Sequence, residues 1–213
     1  EPIRYPRKQE TTAGKMINEN ELEKLFRTFK RTQREKIRSE QKTGLYVWFK
    51  PVVAMGFYQG LRVGEIVRLD WLNVSLDEKR LHLTRTKNGE QRVVPIRSAY
   101  LPYLKAWYRL CGRPEEGRVF FKSDAPGRHT GKTCPLGEDH VSKVYKKYVR
   151  AAGLPESVCF HGLRHACGTQ LLRKGMDLHE VASWLGHSSL DSVRTYEHLN
   201  DQDLRSKMKE LGM

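Results

Sequence analysis

The 213-residue chain has little of what marks a membrane, secreted or metal-dependent protein. Its longest stretch without a charged side chain runs only from Pro51 to Leu61 and contains Gln59. That falls far short of the roughly 20 apolar residues of a spanning helix. The four cysteines, Cys111, Cys134, Cys159 and Cys167, form no C-x-x-C pair. Their scarcity and spacing fit reduced thiols in a cytoplasmic protein rather than a disulfide framework. The opening EPIRYPRKQE carries no secretory signal, and no initiator Met, so the chain is expected to be a fragment of a longer protein. There is no internal repeat and no low-complexity block. Nor is there an acidic cluster of the kind that holds two metal ions in a nuclease. One metal alternative stands: Cys159, His161, His165 and Cys167 spell C-x-H-x3-H-x-C. Ligands so crowded on one helical segment rarely close a tetrahedron, and no metal or cofactor is expected.

What the chain does have is positive charge. Lys plus Arg number 39 against 25 Asp plus Glu, a net charge of +14. Such an excess points to a polyanionic partner. DNA, RNA and anionic membrane surfaces all qualify on charge alone. Hydrophobic residues make up 38%, enough for a packed core at this length.

Periodicity predicts a mainly helical α+β fold. Asn18 or Asn20 is placed to cap a helix through Leu22, Leu25, Phe26 and Phe29, continuing into the basic stretch Arg27 to Lys42, which reads as a solvated or a phosphate-facing side. Leu45 to Gln59 reads as a core helix punctuated by Gly60, followed by a short helix from Arg62 to Leu69. The period then changes. Trp71 to Leu76 suits a strand, Asp77 to Arg80 a turn, and Leu81 and Leu83 alternate with His82 and Thr84. Lys87-Asn88-Gly89 is a hairpin signal, with Val93, Val94 and Ile96 on the return strand. Together they predict a small three-stranded antiparallel sheet on one edge of a helical domain. Helices are expected again over Ala99–Leu110, Glu138–Ala152, His161–Lys174, Leu178–Leu185, from Ser189 toward Tyr196, and over Asp201–Leu211. Arg118 to Phe121 reads as a short strand and Gly127 to Gly137 as an exposed loop.

Several polar residues sit where a core-forming chain has little use for them. His161, Arg164 and His165 fall on neighbouring turns of one helix, among apolar residues that pack it down. Arg164 is expected at the border of the packed face, and arginine is the side chain suited to gripping phosphate oxygens through paired hydrogen bonds. Arg62 stands at the mouth of a helix with Glu65 three residues on. His187 follows the end of another helix, and Tyr196 lies nine residues beyond it. Taken singly each has an ordinary explanation: a surface ion pair for Arg62 and Glu65, a helix-end cation for His187, a turn residue for Lys87, a half-buried ring for Tyr196.

Taken together they resemble a known family. The segments GLRVGEIVRLDW, HGLRHACGTQLL and WLGHSSLDSVRTYEH, with the Lys87 hairpin between the first two, are similar in order and spacing to the tyrosine recombinases, or phage integrases. The resemblance covers residues 16–213 as a catalytic domain. Residues 1–15 would then be a basic arm or linker from an N-terminal DNA-binding domain. It implies a site-specific DNA recombinase that cuts and rejoins strands through a covalent 3′-phosphotyrosine. Arg62 and Arg164 match the two family arginines, His161 the histidine of the H-x-x-R box, His187 the histidine after L-G, Lys87 the hairpin lysine, Tyr196 the nucleophile and Glu65 the acidic support of the first arginine. The implied partners are double-stranded DNA and further copies of the chain in a tetramer, with the C-terminal helix Asp201–Leu211 as the candidate link, docking of that helix on its own chain being equally compatible. No membrane and a cytoplasmic, nucleoid-associated location are implied. A DNA-binding module that keeps the fold without the chemistry, and a type IB topoisomerase, are the alternatives.

Overall fold

The computed structural model describes residues 15–39, 46–83, 91–122 and 134–186. Helix α1 (Glu19–Arg38) starts at a reciprocal cap: the Asn18 side chain accepts from the Glu21 N–H, and the Glu21 carboxylate accepts from the Asn18 N–H. Leu22, Leu25, Phe26 and Phe29 form its buried stripe, while Arg27, Lys30, Arg31 and Arg34 face solvent. Phe29 stacks on Phe49 with centroids 4.6 Å apart, and Tyr148 meets Phe29 at 5.0 Å and Phe49 at 4.8 Å. These rings tie α1 to α2 (Phe49–Ala54) and α5 (Glu138–Ala151).

The segment expected to be one helix from Leu45 to Gln59 is shorter and changes pitch. Tyr46 and the turn at 47–48 precede α2, which widens into a π-helical turn over Met55–Gln59 and stops at Gly60. Helix α3 (Val63–Arg68) follows at once. The expected strand from Trp71 to Leu76 is mostly a 3-10 turn, Trp71–Asn73. Asp70 caps it by accepting from the Leu72 N–H, and only Val74–Ser75 remain for β1. A side-chain acceptor two residues upstream favours the tight turn over an extended start.

The three-stranded antiparallel sheet is present, in the order β1, β2 (Arg80–Leu83), β3 (Arg92–Pro95). Leu81 pairs with Val94 and His82 with Val93, so Leu81, Leu83 and Val94 point inward and Val93 outward. Helix α4 (Leu101–Leu110) returns across the core. A second two-stranded ladder, β4 (Phe121–Lys122) with β5 (Cys134–Pro135), replaces part of the expected loop from Gly127 to Gly137. Of the expected strand from Arg118 to Phe121, Arg118 makes an isolated bridge to Asp70 and Phe121 opens β4, with the residues between them outside any strand. Helices α5, α6 (Phe160–Arg173) and α7 (Leu178–Leu185) lie close to their expected bounds. Asp177 caps α7, with Glu180 reaching back to the cap.

The result is a mainly helical domain with a small antiparallel sheet. Among the described residues no helix is long and apolar enough to cross a membrane. The expected hairpin at Lys87, the expected helices from Ser189 toward Tyr196 and over Asp201–Leu211, residues 1–14 of the expected arm 1–15 and the end of the basic stretch from 40 all lie outside the described residues.

Candidate active site

Three consecutive carbonyls at the end of the π-helical turn organise the site. A helix end leaves its last carbonyls without intrahelical donors. Here each finds a side chain from a later element. The Tyr58 carbonyl accepts from Arg97 Nη1 at 2.9 Å and from the Cys167 thiol at 3.3 Å. The Gln59 carbonyl accepts from the Trp184 indole at 3.0 Å. The Gly60 carbonyl accepts from Arg164 Nη1 at 2.8 Å. The fully buried Gln59 amide is also used at both ends, donating to the Pro95 carbonyl and accepting from the Arg97 N–H. One turn therefore gathers the end of β3, α6 and α7 around itself. The turn needs glycine at 60, where φ is +71° and a Cβ would stand 2.5 Å from Leu185.

Two residues past Gly60, Arg62 enters α3. Its backbone N–H donates to Glu65 Oε2 at 2.8 Å and its Nη1 to Glu65 Oε1 at 3.2 Å. Its Nη2 donates to the Gly186 carbonyl, at the end of α7, at 2.9 Å. Gly186 is left-handed, with φ +66°. Arg92 of β3 completes the group, its two terminal nitrogens reaching Glu65 Oε1 and Oε2 at 2.9 and 3.0 Å. Glu65 is no surface residue: its side chain is 3% exposed. Burial works against its charge. The hydrogen bonds and field of Arg92, the Arg62 N–H and the Arg164 charge outweigh it and hold the carboxyl below the usual carboxylate range. The Arg62 side chain is 30% exposed. Two of its five N–H donors go to Glu65 and Gly186, so it is anchored yet able to offer further donors to an anion.

Helix α6 supplies the other side. Arg164 is 2% exposed, well inside the packed face rather than at its border. His161 lies at the surface, one turn before it. Loss of solvent beneath the ring and the charges of Arg164 and Arg62 lower its pKa below 6.5, leaving it neutral and able to accept a proton at neutral pH. His165 is pushed down to about 4, chiefly by burial and then by His161, Arg164 and Lys15. The two imidazoles meet edge to face, with centroids 4.9 Å apart. Cys167, the last member of the C-x-H-x3-H-x-C pattern, has its sulfur buried against the Tyr58 carbonyl. Among the described residues no three His, Cys, Asp or Glu side chains are grouped to hold a metal ion.

Of the residues singled out from the sequence, the fold thus brings Arg62, Glu65, His161 and Arg164 into one neighbourhood. Lys87, His187 and Tyr196 lie outside the described residues. Three members of the site were missed: Arg92, Trp184 and the Gly60 carbonyl. Strand phasing was the available signal for Arg92. With Val94 and Ile96 inside, period-two alternation puts position 92 on the same face. Nothing in the sequence marks a backbone carbonyl.

Residues 15–203 match the phage integrase family. The chain belongs to that family. Among curated proteins, this integrase-family chain is 28% identical over 152 residues to a tyrosine recombinase of Pseudothermotoga lettingae, covering 71% of the chain and 50% of the relative. It is 31% identical over 155 residues to the tyrosine recombinase XerC of Xanthomonas campestris pv. campestris, covering 73% of the chain and 45% of the relative. The chain therefore spans about half the length of the curated relatives it matches. In fold it resembles the XerA recombinase, with a TM-score of 0.68 and 22% identity over 92% of this chain and 64% of that one. It also resembles XerH site-specific recombinase bound to a palindromic difH substrate, with a TM-score of 0.62 and 22% identity over 94% of this chain and 54% of that one.

Proposed function

We propose that this chain is the catalytic domain of a site-specific DNA recombinase that breaks and rejoins strands through a 3′-phosphotyrosine at Tyr196. The observation that carries the reading is the convergence of Arg62 and Arg164, far apart in sequence. Both charges act on His161, and both guanidinia are anchored on the chain around Gly60 and Gly186.

In this reading Arg62 and Arg164 clamp the two non-bridging oxygens of a backbone phosphate, where negative charge builds in the transition state. His187 donates a further hydrogen bond. Free tyrosine, with a pKa of about 10, is almost wholly protonated at neutral pH, so Tyr196 needs a proton acceptor. Neutral His161 is suited to that task. The phenol oxygen attacks phosphorus, the bond to the 5′-oxygen breaks, and Lys87 gives that oxygen its proton. One ester is exchanged for another, so the reverse attack by a new 5′-hydroxyl rejoins the strand without an outside energy source. Glu65 holds Arg62 in place.

Double-stranded DNA and a tetrameric assembly through the C-terminal segment belong to the same proposal. They are supported by the chain's charge of +14 and by a fold relative, a lambda integrase tetramer bound to a Holliday junction. The arm 1–15 is proposed to lead from an N-terminal DNA-binding domain.

The test is incubation of the chain with a library of nicked duplexes of randomised sequence, followed by denaturing electrophoresis and peptide mapping. A covalent adduct at Tyr196 is expected, lost in Tyr196→Phe while duplex binding persists. An adduct that survives in Tyr196→Phe, or binding with no adduct in the native chain, would overturn the reading; the second outcome describes a binding module.

A further inference from the structure

Arg92 has no place in the roles set out above, yet its side chain is built into the centre of the site. It opens β3 opposite Leu83, on the inward face of the strand, and its side chain is 12% exposed. It grips Glu65 side-on, one nitrogen to each oxygen. The same oxygens accept from the Arg62 N–H and Nη1, so Glu65 has two donors on each oxygen and its acceptor capacity is full. The Arg92 guanidinium also lies against Gly186, where a Cβ would stand 2.5 Å from Nη1 and 2.9 Å from Nε. The Gly186 carbonyl is the other anchor of Arg62. Arg62 is thus held from two sides, and Arg92 touches both. Its Nε is buried and makes no hydrogen bond among the described residues, a cost that a residue serving only to fill space would avoid.

We infer that Arg92 is a positioning residue for strand cleavage: by bracing Glu65 and the Gly186 turn, it holds the Arg62 guanidinium in one orientation toward the phosphate. This rests on the proposal that Arg62 binds that phosphate. The physical reason is competition for Arg62. Without the Arg92 fork, the buried Glu65 charge has Arg62 as its nearest remaining cation and draws that guanidinium toward itself, away from substrate. The space opened beside Gly186 also frees the second anchor. Small displacements of this kind cost rate, because the reacting geometry is narrow.

The test measures adduct formation at saturating nicked duplex, and duplex affinity separately, for the native chain, Arg92→Met, Arg92→Lys, Glu65→Gln and the double variant Arg92→Met/Glu65→Gln. Arg92→Met is expected to slow adduct formation by about a hundredfold with affinity unchanged. Arg92→Lys, which keeps the charge but not the fork, recovers only part of the rate. On the Glu65→Gln background Arg92→Met adds little, because both changes break one chain of contacts. A folded Arg92→Met with native rate, or losses that add in full, overturns the inference. Should Arg92→Met fail to fold, a native rate in Arg92→Lys overturns it equally. A native chain that forms no adduct at Tyr196 sinks the recombinase reading and this inference with it. A native adduct with an unaffected Arg92→Met sinks the inference alone.

Discussion

Arg164 donates to the carbonyl of Gly60 across 104 positions of sequence, at 2.8 Å. Gly60 is two residues before Arg62, so this bond fixes the second arginine relative to the first through backbone rather than through side chains. A bond to the backbone survives rotamer changes that would scatter a pair held only by side chains. It also places Arg164 where burial would otherwise make a permanent charge costly.

Arg164→Lys is expected to lower adduct formation by about a hundredfold or more, because an ammonium cannot both hold Gly60 and offer a paired grip to phosphate. Arg164→Ala leaves the buried Gly60 carbonyl without this donor, at a cost of about 1–3 kcal/mol of stability. Denaturant unfolding of the two variants separates the effects: a Lys variant that is stable but slow fits, and one that keeps native speed does not.

Gly60→Ala combines a left-handed backbone with a close approach to Leu185, 2.5 Å from the added carbon. Strain and overpacking together are expected to cost about 2 kcal/mol or more. Thermal unfolding reads this directly. A variant as stable as the native chain would mean that the turn does not hold α7 in the way described.

Folding stability should fall in mild acid. Burial and neighbouring charges hold the folded pKa of His165 at about 4, against 6.5 for an ordinary histidine. Below 6.5 the unfolded chain takes up this proton while the folded chain does not, so stability is lost as pH falls from 6.5 toward 4. Glu65 acts lower in the range. Its folded pKa lies below 4.5, so its contribution is complete above 4.5 and is lost as pH falls through the folded value. Melting temperature measured against pH should decline through both windows, and His165→Asn should flatten part of the first. An unchanged slope between pH 6.5 and 4.5 in that variant would contradict the assignment to His165.

Much of the fold was legible because local rules and tertiary packing agree. The Asn18 and Asp177 caps lie where their side chains accept from the free N–H groups of Glu21 and Glu180 in the first turn. The stripes of α1 and α5 match the residues that became buried. Legibility failed where a hydrogen bond, local at Asp70 and long-range at the end of the helix to Gln59, beat the period. Asp70 turned the expected strand from Trp71 into a 3-10 turn. The helix up to Gln59 widened at its end, where its free carbonyls are taken by Arg97, Trp184 and Arg164.

The sequence by itself determined which residues carry charge and donors, the helical and strand periods, and the order of segments that marks the family. These depend only on side-chain chemistry and spacing along the chain. The tertiary structure alone decided that Glu65 is buried and shared by Arg62 and Arg92, that Arg164 lies inside the core, and that Gly60 and Gly186 anchor the two arginines. Those facts rest on backbone carbonyls and on approaches between distant segments, and every residue's backbone carries the same carbonyl whatever its side chain.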